Sequence, residues 1–360
     1  MARATLTIDL DAIAANWRAL DARSGRDVET AGVLKADAYG LGAARVGPAL
    51  HAAGARVFFV ALSEEGAALR AALGPGPAIH VLSGLLPGDA EILRTHDLSP
   101  CLNSAAQVID FENTLPNHIC AVQLDSGMHR LGLNASELAS VLDPLSRLRP
   151  RLVLSHLACA DAPDHPQNAN QRRAFIDLAN RLPPAPRSLA ATGGVLLGPD
   201  YHFDLTRPGV GLFGGLPFTE ARPAVTLALP VIQVREVATG GGVGYGAAWV
   251  APRPSRVATL SAGYADGLLR AIAGGAVQLF AGERACPLIG RVSMDLVTVD
   301  VTDLADVPSH LEILNARQTV DDLARAAGTI GYEILTSLGD RYERVYKGAA
   351  ADPGAISGRA

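Results

Sequence analysis

Short apolar runs alternate with longer segments of helical period over about the first 215 residues. Apolar runs of this length are typical of buried parallel strands, whereas apolar residues that recur every three or four positions indicate amphipathic helices. The predicted strands are residues 28–36, 55–62, 77–84, 118–125, 151–158, 186–192 and 205–215. The predicted helices include residues 10–22, 44–54, 63–74 and 167–182. The pattern therefore predicts repeated β-α units around a parallel sheet.

The pattern changes after residue 220, where apolar and polar residues alternate with a period of two between glycine turns. Such alternation is typical of antiparallel strands with one buried face. Pro217 and Pro223 flank a polar stretch and place the expected boundary within 217–226. We expect an α/β fold with domains at 1–220 and 221–360, the second mainly β with a short helix at 320–328.

Composition narrows the class of protein. The net charge of −5 and the absence of a dense Lys/Arg block argue against nucleic-acid or anionic-membrane partners. The first residues lack the cationic start and apolar stretch of a signal peptide, and no apolar run is long enough to span a bilayer. The four cysteines form no CxxC pair, which suits reduced thiols. We expect a cytoplasmic enzyme with no nucleic-acid and no membrane partner.

Polar residues follow several of the predicted strands. In a ring of β-α units the loops after the strands carry the chemistry, so these side chains are the candidates for an active site. They are Lys35, Asp125, Arg130, His156, Thr192 and Arg207, with glycines at 193 and 194. Each alone has a structural explanation, such as a surface lysine or a turn glycine. Their occurrence at one end of the same sheet favours a functional site.

Residues 33–42, VLKADAYGLG, closely resemble the segment that binds pyridoxal 5′-phosphate (PLP) in the alanine racemases. The resemblance continues in the same order through residues 124–133, 154–161, 202–214, 243–250, 261–270 and 291–300. It implies an N-terminal (β/α)8 TIM barrel, a C-terminal mainly-β domain and a head-to-tail homodimer. The implied activity is interconversion of L-alanine and D-alanine, which serves either cell-wall synthesis or alanine catabolism.

The resemblance also implies how the cofactor is held. Lys35 would bind PLP as a Schiff base, which requires an environment that lowers the pKa of the amine. Tyr39 and Thr192 would contact the phosphate, together with the backbone amides around Gly209 and Val210. Main-chain amides and hydroxyls in the late loops are the usual phosphate ligands of such barrels.

Arg207 would face the pyridine nitrogen, where most PLP enzymes place an acid. Because a guanidinium is nearly always protonated, the nitrogen would stay unprotonated and side reactions such as transamination would be suppressed.

Racemisation needs a base on each face of the reacting carbon. The resemblance assigns these bases to Lys35 and to Tyr264 of the partner subunit. A chain from Tyr264 through His156 to Arg207 would tune the phenol, whose ordinary pKa is too high for a base. Arg130 would bind the substrate carboxylate or the phenolic oxygen of the cofactor, and the backbone of Met294 would also contact the carboxylate.

Three positions depart from the family pattern. Ala191 stands where an asparagine is common, although the neighbouring Thr192 keeps a hydroxyl. Gln123 replaces a lysine that is sometimes carbamylated, so only a neutral hydrogen bond is available to orient Arg130. Asp340 aligns with a tyrosine that contacts phosphate in some members; either this loop is rearranged or Tyr342 substitutes.

Other functions are alternatives on a similar pattern. A serine or broad-specificity amino-acid racemase stays open, since one hydroxyl changes binding modestly. Arg207 disfavours a decarboxylase of the same barrel class, and the β domain disfavours a non-catalytic PLP-binding protein. The glycine-rich residues 240–246 open no helix, which favours a hairpin over a dinucleotide site. The histidines lack zinc spacing, so no catalytic metal is expected.

Overall fold

A computed structural model of the chain describes residues 3–274 and 276–348 and divides them into two compact units. The barrel unit comprises Ile13–Ala38 and Gly42–Leu212. The β unit comprises Tyr39–Leu41 and the described residues of Met1–Ala12 and Phe213–Ala360. The first strand and a three-residue segment near Lys35 therefore group with the C-terminal part of the chain.

Most of the strands are short, whereas β11 extends over 13 residues. The strands of the barrel unit are β2 (Glu29–Thr30), β3 (Gly32–Val33), β4 (Val57–Val60), β5 (Ala78–Val81), β6 (Ser99–Leu102), β7 (Ala121–Gln123), β8 (Val153–Leu154), β9 (Arg187–Ser188) and β10 (Leu205–Thr206). The strands of the β unit are β1 (Thr5–Asp9), β11 (Val225–Val237), β12 (Gly242–Val243), β13 (Trp249–Val250), β14 (Ser255–Leu260), β15 (Gln278–Ala281), β16 (Arg284–Ile289), β17 (Val297–Asp300), β18 (His310–Leu314) and β19 (Glu343–Lys347). The helices are α1 (Leu10–Ser24), α2 (Lys35–Gly40), α3 (Ala43–Ala53), α4 (Ser63–Leu73), α5 (Ala90–Thr95), α6 (Ala105–Thr114), α7 (Ala135–Ser140), α8 (Leu142–Leu148), α9 (Pro166–Ala179), α10 (Thr192–Leu196), α11 (Val320–Ala327) and α12 (Gly331–Ser337).

The parallel strands of the barrel unit close into a ring. Strands β3 to β9 form one sheet in chain order, and β10 pairs in parallel with β2. Only Ala31 separates β2 from β3, so the two form one continuous strand of the barrel. A bridge between Ala191 and Arg207 joins the end of β9 to β10. These contacts give eight parallel positions around the ring and confirm the predicted (β/α)8 barrel.

The predicted strands missed one member of the ring, β6 (Ser99–Leu102). This segment is fully buried between β5 and β7, yet it begins with a serine and a proline. Proline removes a main-chain donor and usually argues against a central strand. Here the pairing with both neighbours outweighs the local sequence, and the register places Pro100 opposite Val81.

Antiparallel pairing dominates the β unit, as the change of period after residue 220 predicts. Its main sheet has the order β14-β17-β16-β15-β18-β11-β1-β19. Strand β1 lies between β11 and β19, antiparallel to the first and parallel to the second. Residues 240–246 lie in a hairpin in which β12 pairs with β13, as predicted. The predicted helix at 320–328 is α11 (Val320–Ala327).

Helix α2 winds in the left-handed sense. The φ angles of Ala36, Asp37, Ala38 and Tyr39 lie between 52° and 57°, in the region that L-residues other than glycine rarely occupy. The carboxylate of Asp37 accepts a hydrogen bond from Ala43 N at 2.7 Å, and its carbonyl accepts one from Gly42 N at 2.9 Å. These two bonds tie the turn to the start of α3.

Among the described residues, no helix combines the length and the apolar character needed to cross a membrane. The four cysteines are free, and Cys101, Cys120 and Cys286 are buried.

Candidate active site

Four basic side chains follow the carboxyl ends of barrel strands. Lys35 comes after β3, Arg130 lies in the loop after β7, His156 follows β8 and Arg207 follows β10. The positive charges of Arg207, Arg130 and Lys35 all lower the pKa of His156. The four groups are therefore gathered at one end of the barrel, as the sequence predicts.

Lys35 is half-buried at the first position of α2. Burial lowers the pKa of its amine, since a charged ammonium loses hydration, and the charge of Arg130 lowers it further. The carboxylate of Glu65 opposes this shift by raising the pKa. A lysine with a lowered pKa has more of the free amine that attacks carbonyl compounds.

Arg207 is buried directly after β10. One guanidinium nitrogen donates a hydrogen bond to the Ser188 hydroxyl and another donates to the Ser155 carbonyl at 2.6 Å. The guanidinium carbon lies 5.7 Å from the ring centre of Phe59, within the range of a cation–π contact. Burial lowers the pKa of Arg207 to about 10, so the group stays charged at neutral pH.

His156 is held neutral. Burial is the main cause, and together with the charges of Arg207, Arg130 and Lys35 it lowers the pKa of the imidazole to about 3. The backbone around it is fixed by Gln171, a fully buried residue of α9. The amide nitrogen of Gln171 donates to His156 O at 2.9 Å and to the Ser126 hydroxyl at 3.3 Å, while its oxygen accepts from Ala158 N at 2.8 Å. Gln171 therefore joins the loops after β7 and β8.

Arg130 is exposed at the end of a loop that Asp125 organises. One carboxylate oxygen of Asp125 accepts hydrogen bonds from the backbone amides of Gly127, Met128 and His129, at 2.9 to 3.1 Å. Gln123 is buried at the end of β7, and its amide donates to Leu131 O at 3.4 Å.

Thr192 begins α10, and its hydroxyl oxygen accepts from the amides of Gly209 and Gly211 at 3.1 and 3.3 Å. Gly193 must be a glycine here, because a Cβ atom would lie 2.9 Å from Ala160 O. The preceding residue, Ala191, has no side-chain oxygen that could cap the helix. The start of α10, together with the turn that contains Val210, therefore presents a hydroxyl and main-chain amides, the groups that bind phosphate.

Tyr39 groups with the β unit. Its ring lies 4.9 Å from Phe213 and 5.9 Å from Tyr332 between centroids. Burial raises the pKa of its phenol, so the hydroxyl keeps its proton at neutral pH and can donate a hydrogen bond.

Tyr264 and Met294 lie on adjacent loops of the β unit. Tyr264 N donates to Ser293 O at 3.0 Å, and Ala265 N donates to Met294 O at 2.9 Å. Gly263 allows this approach, because a Cβ atom there would lie only 2.3 Å from Ser293 O. Both side chains are exposed, with 43% of Tyr264 and 54% of Met294 accessible.

Arg341 fastens these two loops together. It donates two hydrogen bonds to the buried carboxylate of Asp266, at 2.6 and 2.7 Å, and one to Asp295 at 2.8 Å. Asp266 also accepts from Gly263 N at 2.8 Å, which closes the turn that contains Tyr264. The arginine therefore links the residues that follow Tyr264 and Met294.

Asp340 and Tyr342, the two residues considered for a phosphate contact, lie in different environments. The Asp340 side chain is fully exposed and pairs with Arg344 at 3.3 Å. Tyr342 is buried, and within residues 3–274 and 276–348 its hydroxyl has no hydrogen-bond partner. Burial and the charge of Asp266 raise the pKa of this phenol.

Comparison with known proteins places this geometry in context. The family model described as the N-terminal domain of alanine racemase matches residues 8–217, and the model of the C-terminal domain matches residues 224–346. An alanine racemase of Cereibacter sphaeroides is 59% identical over 98% of this chain and 100% of its own length. One from Rhizobium meliloti is 46% identical over 97% of this chain and 98% of its own length.

Solved structures agree with these matches. The alanine racemase of Bartonella henselae, which holds covalently bound pyridoxal phosphate, superposes with a TM-score of 0.90 at 36% identity. The superposition covers 96% of this chain and 100% of that one. The biosynthetic alanine racemase of Pseudomonas aeruginosa gives a TM-score of 0.89 at 37% identity, over 97% of this chain and 100% of its own.

Proposed function

Because this chain belongs to the alanine racemase family, we propose that it interconverts L-alanine and D-alanine with PLP and that Lys35 and Tyr264 move the α-proton. The observation that carries the proposal is Lys35 itself. It is a half-buried amine of lowered pKa, gathered with Arg130, His156 and Arg207 at the end of the barrel where such folds hold their active sites.

The residues of the barrel unit fit this cofactor. An amine of lowered pKa can bind its aldehyde. The Thr192 hydroxyl, whose oxygen accepts from the amides of Gly209 and Gly211, can donate its own proton to the phosphate, and the backbone around Gly209 and Val210 would complete the phosphate site. The Arg207 guanidinium, which stays charged at neutral pH, would face the ring nitrogen. Tyr39 would add a phenol donor to the phosphate. When bound, PLP supplies the electron sink that makes the α-proton of an amino acid removable.

The two proton-transfer atoms are Lys35 Nζ and Tyr264 Oη. Each would face one side of the α-carbon, so that one atom accepts the proton as the other donates. Lys35 needs its free-amine form for this, which burial and Arg130 favour. Tyr264 sits on a loop held through Asp266 and Arg341, which keeps its position fixed while the proton moves.

His156, Arg207 and Arg130 would bind and orient the reacting groups without taking the α-proton themselves. His156 would hydrogen-bond as a neutral imidazole and would relay the influence of Arg207 to the phenol of Tyr264. Arg207 donates two of its five N–H groups to the Ser188 hydroxyl and the Ser155 carbonyl, which fixes the position of its charge. Arg130, exposed at the end of its loop, would bind the substrate carboxylate, and the backbone of Met294 would contact the same group.

A homodimer completes the proposal, with Tyr264 of each subunit serving the site that contains Lys35 of the other. Several large apolar side chains of the β unit are exposed, which would suit burial in such an interface. They include Ile232, Val234, Tyr245, Val250 and Met294. We further propose that the dimer acts in the cytoplasm.

A panel of L-amino acids tests the function. The purified protein should racemise L-alanine with a kcat/KM on the order of 10-fold to 100-fold above that for L-serine, because a pocket fitted to a methyl group discriminates modestly against an added hydroxyl. Formation of the D-isomers can be followed by chiral chromatography. Faster turnover of serine or of a larger amino acid would favour the broad-specificity alternative instead.

Gln123 is expected to make the activity independent of dissolved carbon dioxide. Its side chain is an amide that bonds to Leu131 O, and an amide nitrogen cannot form a carbamate. Initial rates in degassed and in bicarbonate-supplemented buffer should therefore agree. A bicarbonate stimulation that disappears in Gln123→Ala would contradict this explanation.

A further inference from the structure

Glu65, in the first turn of α4, binds the main chain of two barrel loops. One carboxylate oxygen accepts a hydrogen bond from Ala36 N at 2.8 Å. The other accepts from Ala61 N at 2.7 Å and from Leu62 N at 3.3 Å. The bonds to residues 61 and 62 are what a helix cap requires, since they hold the chain that enters α4. The bond to Ala36 is not needed for capping and reaches the loop that follows β3.

The two loops are neighbours because their strands are paired. Strand β3 lies beside β4, with Gly32 opposite Phe58, and Leu34 N donates to Phe59 O at 2.8 Å. Beyond Leu34 the regular pairing stops, and Lys35 and Ala36 start the left-handed turn. The last bond from this strand to β4 is made by Leu34 N, and the next bonded amide, Ala36 N, donates to the Glu65 carboxylate instead.

The negative charge of the Glu65 carboxylate acts on a lysine that is otherwise surrounded by basic groups. Arg130 and the imidazole of His156 both interact with Lys35, and Glu65 is the acidic group that acts on its amine. Arg130 and burial lower the pKa of Lys35, while Glu65 raises it. Removal of the Glu65 charge should therefore release the proton of the amine at a lower pH.

We propose that Glu65 is a positioning residue that fixes the main chain beside Lys35 through Ala36 and balances the positive charges around its amine. The proposal rests on the proposed function in one respect, namely that Lys35 is the lysine that binds the cofactor. The structural part, the anchoring of Ala36, does not depend on the cofactor.

Glu65→Gln tests both parts, and Glu64→Gln is the matched control. Glutamine has nearly the same shape, but only its amide oxygen can accept from a backbone N–H. The orientation that keeps the two bonds from Ala61 and Leu62 turns the amino group toward Ala36 N, so the bond to Ala36 is lost. Glu64 occupies the preceding position and is exposed. Hydrogen exchange at Ala36 N should become at least about tenfold faster in Glu65→Gln, the effect of losing one hydrogen bond to a charged acceptor, and should not change in Glu64→Gln.

The second readout is the pH dependence of covalent PLP capture by Lys35, measured as borohydride-stable label. The midpoint should move to lower pH in Glu65→Gln and stay in place in Glu64→Gln. Glu65→Asp separates charge from contact: the carboxylate is one methylene shorter, so the midpoint should stay near that of the wild type while Ala36 still exchanges faster.

Identical exchange and identical midpoints in the Glu65→Gln and Glu64→Gln proteins would overturn the proposal. If the wild type itself captures no PLP at Lys35, the proposed function fails, while the exchange of Ala36 still decides whether Glu65 anchors the turn. Should Glu65→Gln fold poorly, Glu65→Asp retains the charge, and unchanged exchange of Ala36 in that protein would equally count against the anchor.

Discussion

Replacement of Lys35 by alanine is expected to abolish covalent capture of PLP and to lower kcat/KM for alanine by about 10⁴-fold, the upper end of what a positioned base contributes. The loss should be this large because the same amine is proposed to hold the cofactor and to take the proton. Absorbance of the bound cofactor, followed by borohydride treatment and peptide mass spectrometry, measures the first effect. Steady-state racemisation measures the second.

The sequence provides an unusually clean control for this experiment, because its only lysines are Lys35 and Lys347. Lys347 is exposed and pairs with Asp9 at 3.2 Å. Lys347→Ala should behave like the wild type in both measurements, since exposed substitutions away from a site change stability by about 0.5 kcal/mol or less. Cofactor attached to Lys347, or retained covalently by Lys35→Ala, would refute the assignment.

Mixing two inactive proteins should restore activity if each site is built from two chains. Lys35→Ala and Tyr264→Phe homodimers are each expected to lose activity by about 10²-fold or more, because each lacks one of the two proton-transfer groups. After joint unfolding and refolding at equal concentrations, half of the dimers are mixed. Each mixed dimer contains one site with both groups intact, so the activity should approach about a quarter of the wild-type value.

The expected quarter of the wild-type activity follows from the symmetry of an isologous dimer, in which the same contact occurs twice. Refolding each variant alone is the control and should restore nothing. Size-exclusion chromatography of the mixture reports whether dimers have formed. A mixture of dimers that stays inactive would show that Lys35 and Tyr264 of one site come from the same chain.

Local sequence predicts the barrel strands well where an apolar strand lies between polar segments. The runs that contain β4 and β5 are apolar and bounded by polar residues, so they stand out. Strand β6 does not, because Ser99 and Pro100 occupy half of it. Its conformation depends on pairing with β5 and β7, which no local pattern reveals. The same holds for β1, whose partner β11 lies more than 200 residues away in the sequence.

The candidate site likewise contains residues that local sequence identifies and residues that it does not. Local sequence identifies Lys35, Arg207 and Tyr264 as candidates because their chemistry is distinctive and their surroundings resemble known motifs. Local sequence does not single out Glu65 or Gln171, since an acid in the first turn of a helix and a glutamine within one have ordinary explanations. Their contacts join the main chains of separate loops, and those contacts exist only once the loops are neighbours. A polar residue on the buried side of a helix is the one signal that could have drawn attention to Gln171.

The turn that follows Lys35 has the backbone hand opposite to that of an ordinary helix of L-residues. Ala36 to Tyr39 are four consecutive L-residues whose backbone has the hand that D-residues prefer. At about 1–2 kcal/mol for each residue, the segment carries conformational energy comparable to the net stability of a whole domain. It cannot hold this shape in isolation, so the rest of the fold must impose it. The lysine of an enzyme that makes D-alanine thus stands at the start of a stretch in which D-alanine would be the less strained residue.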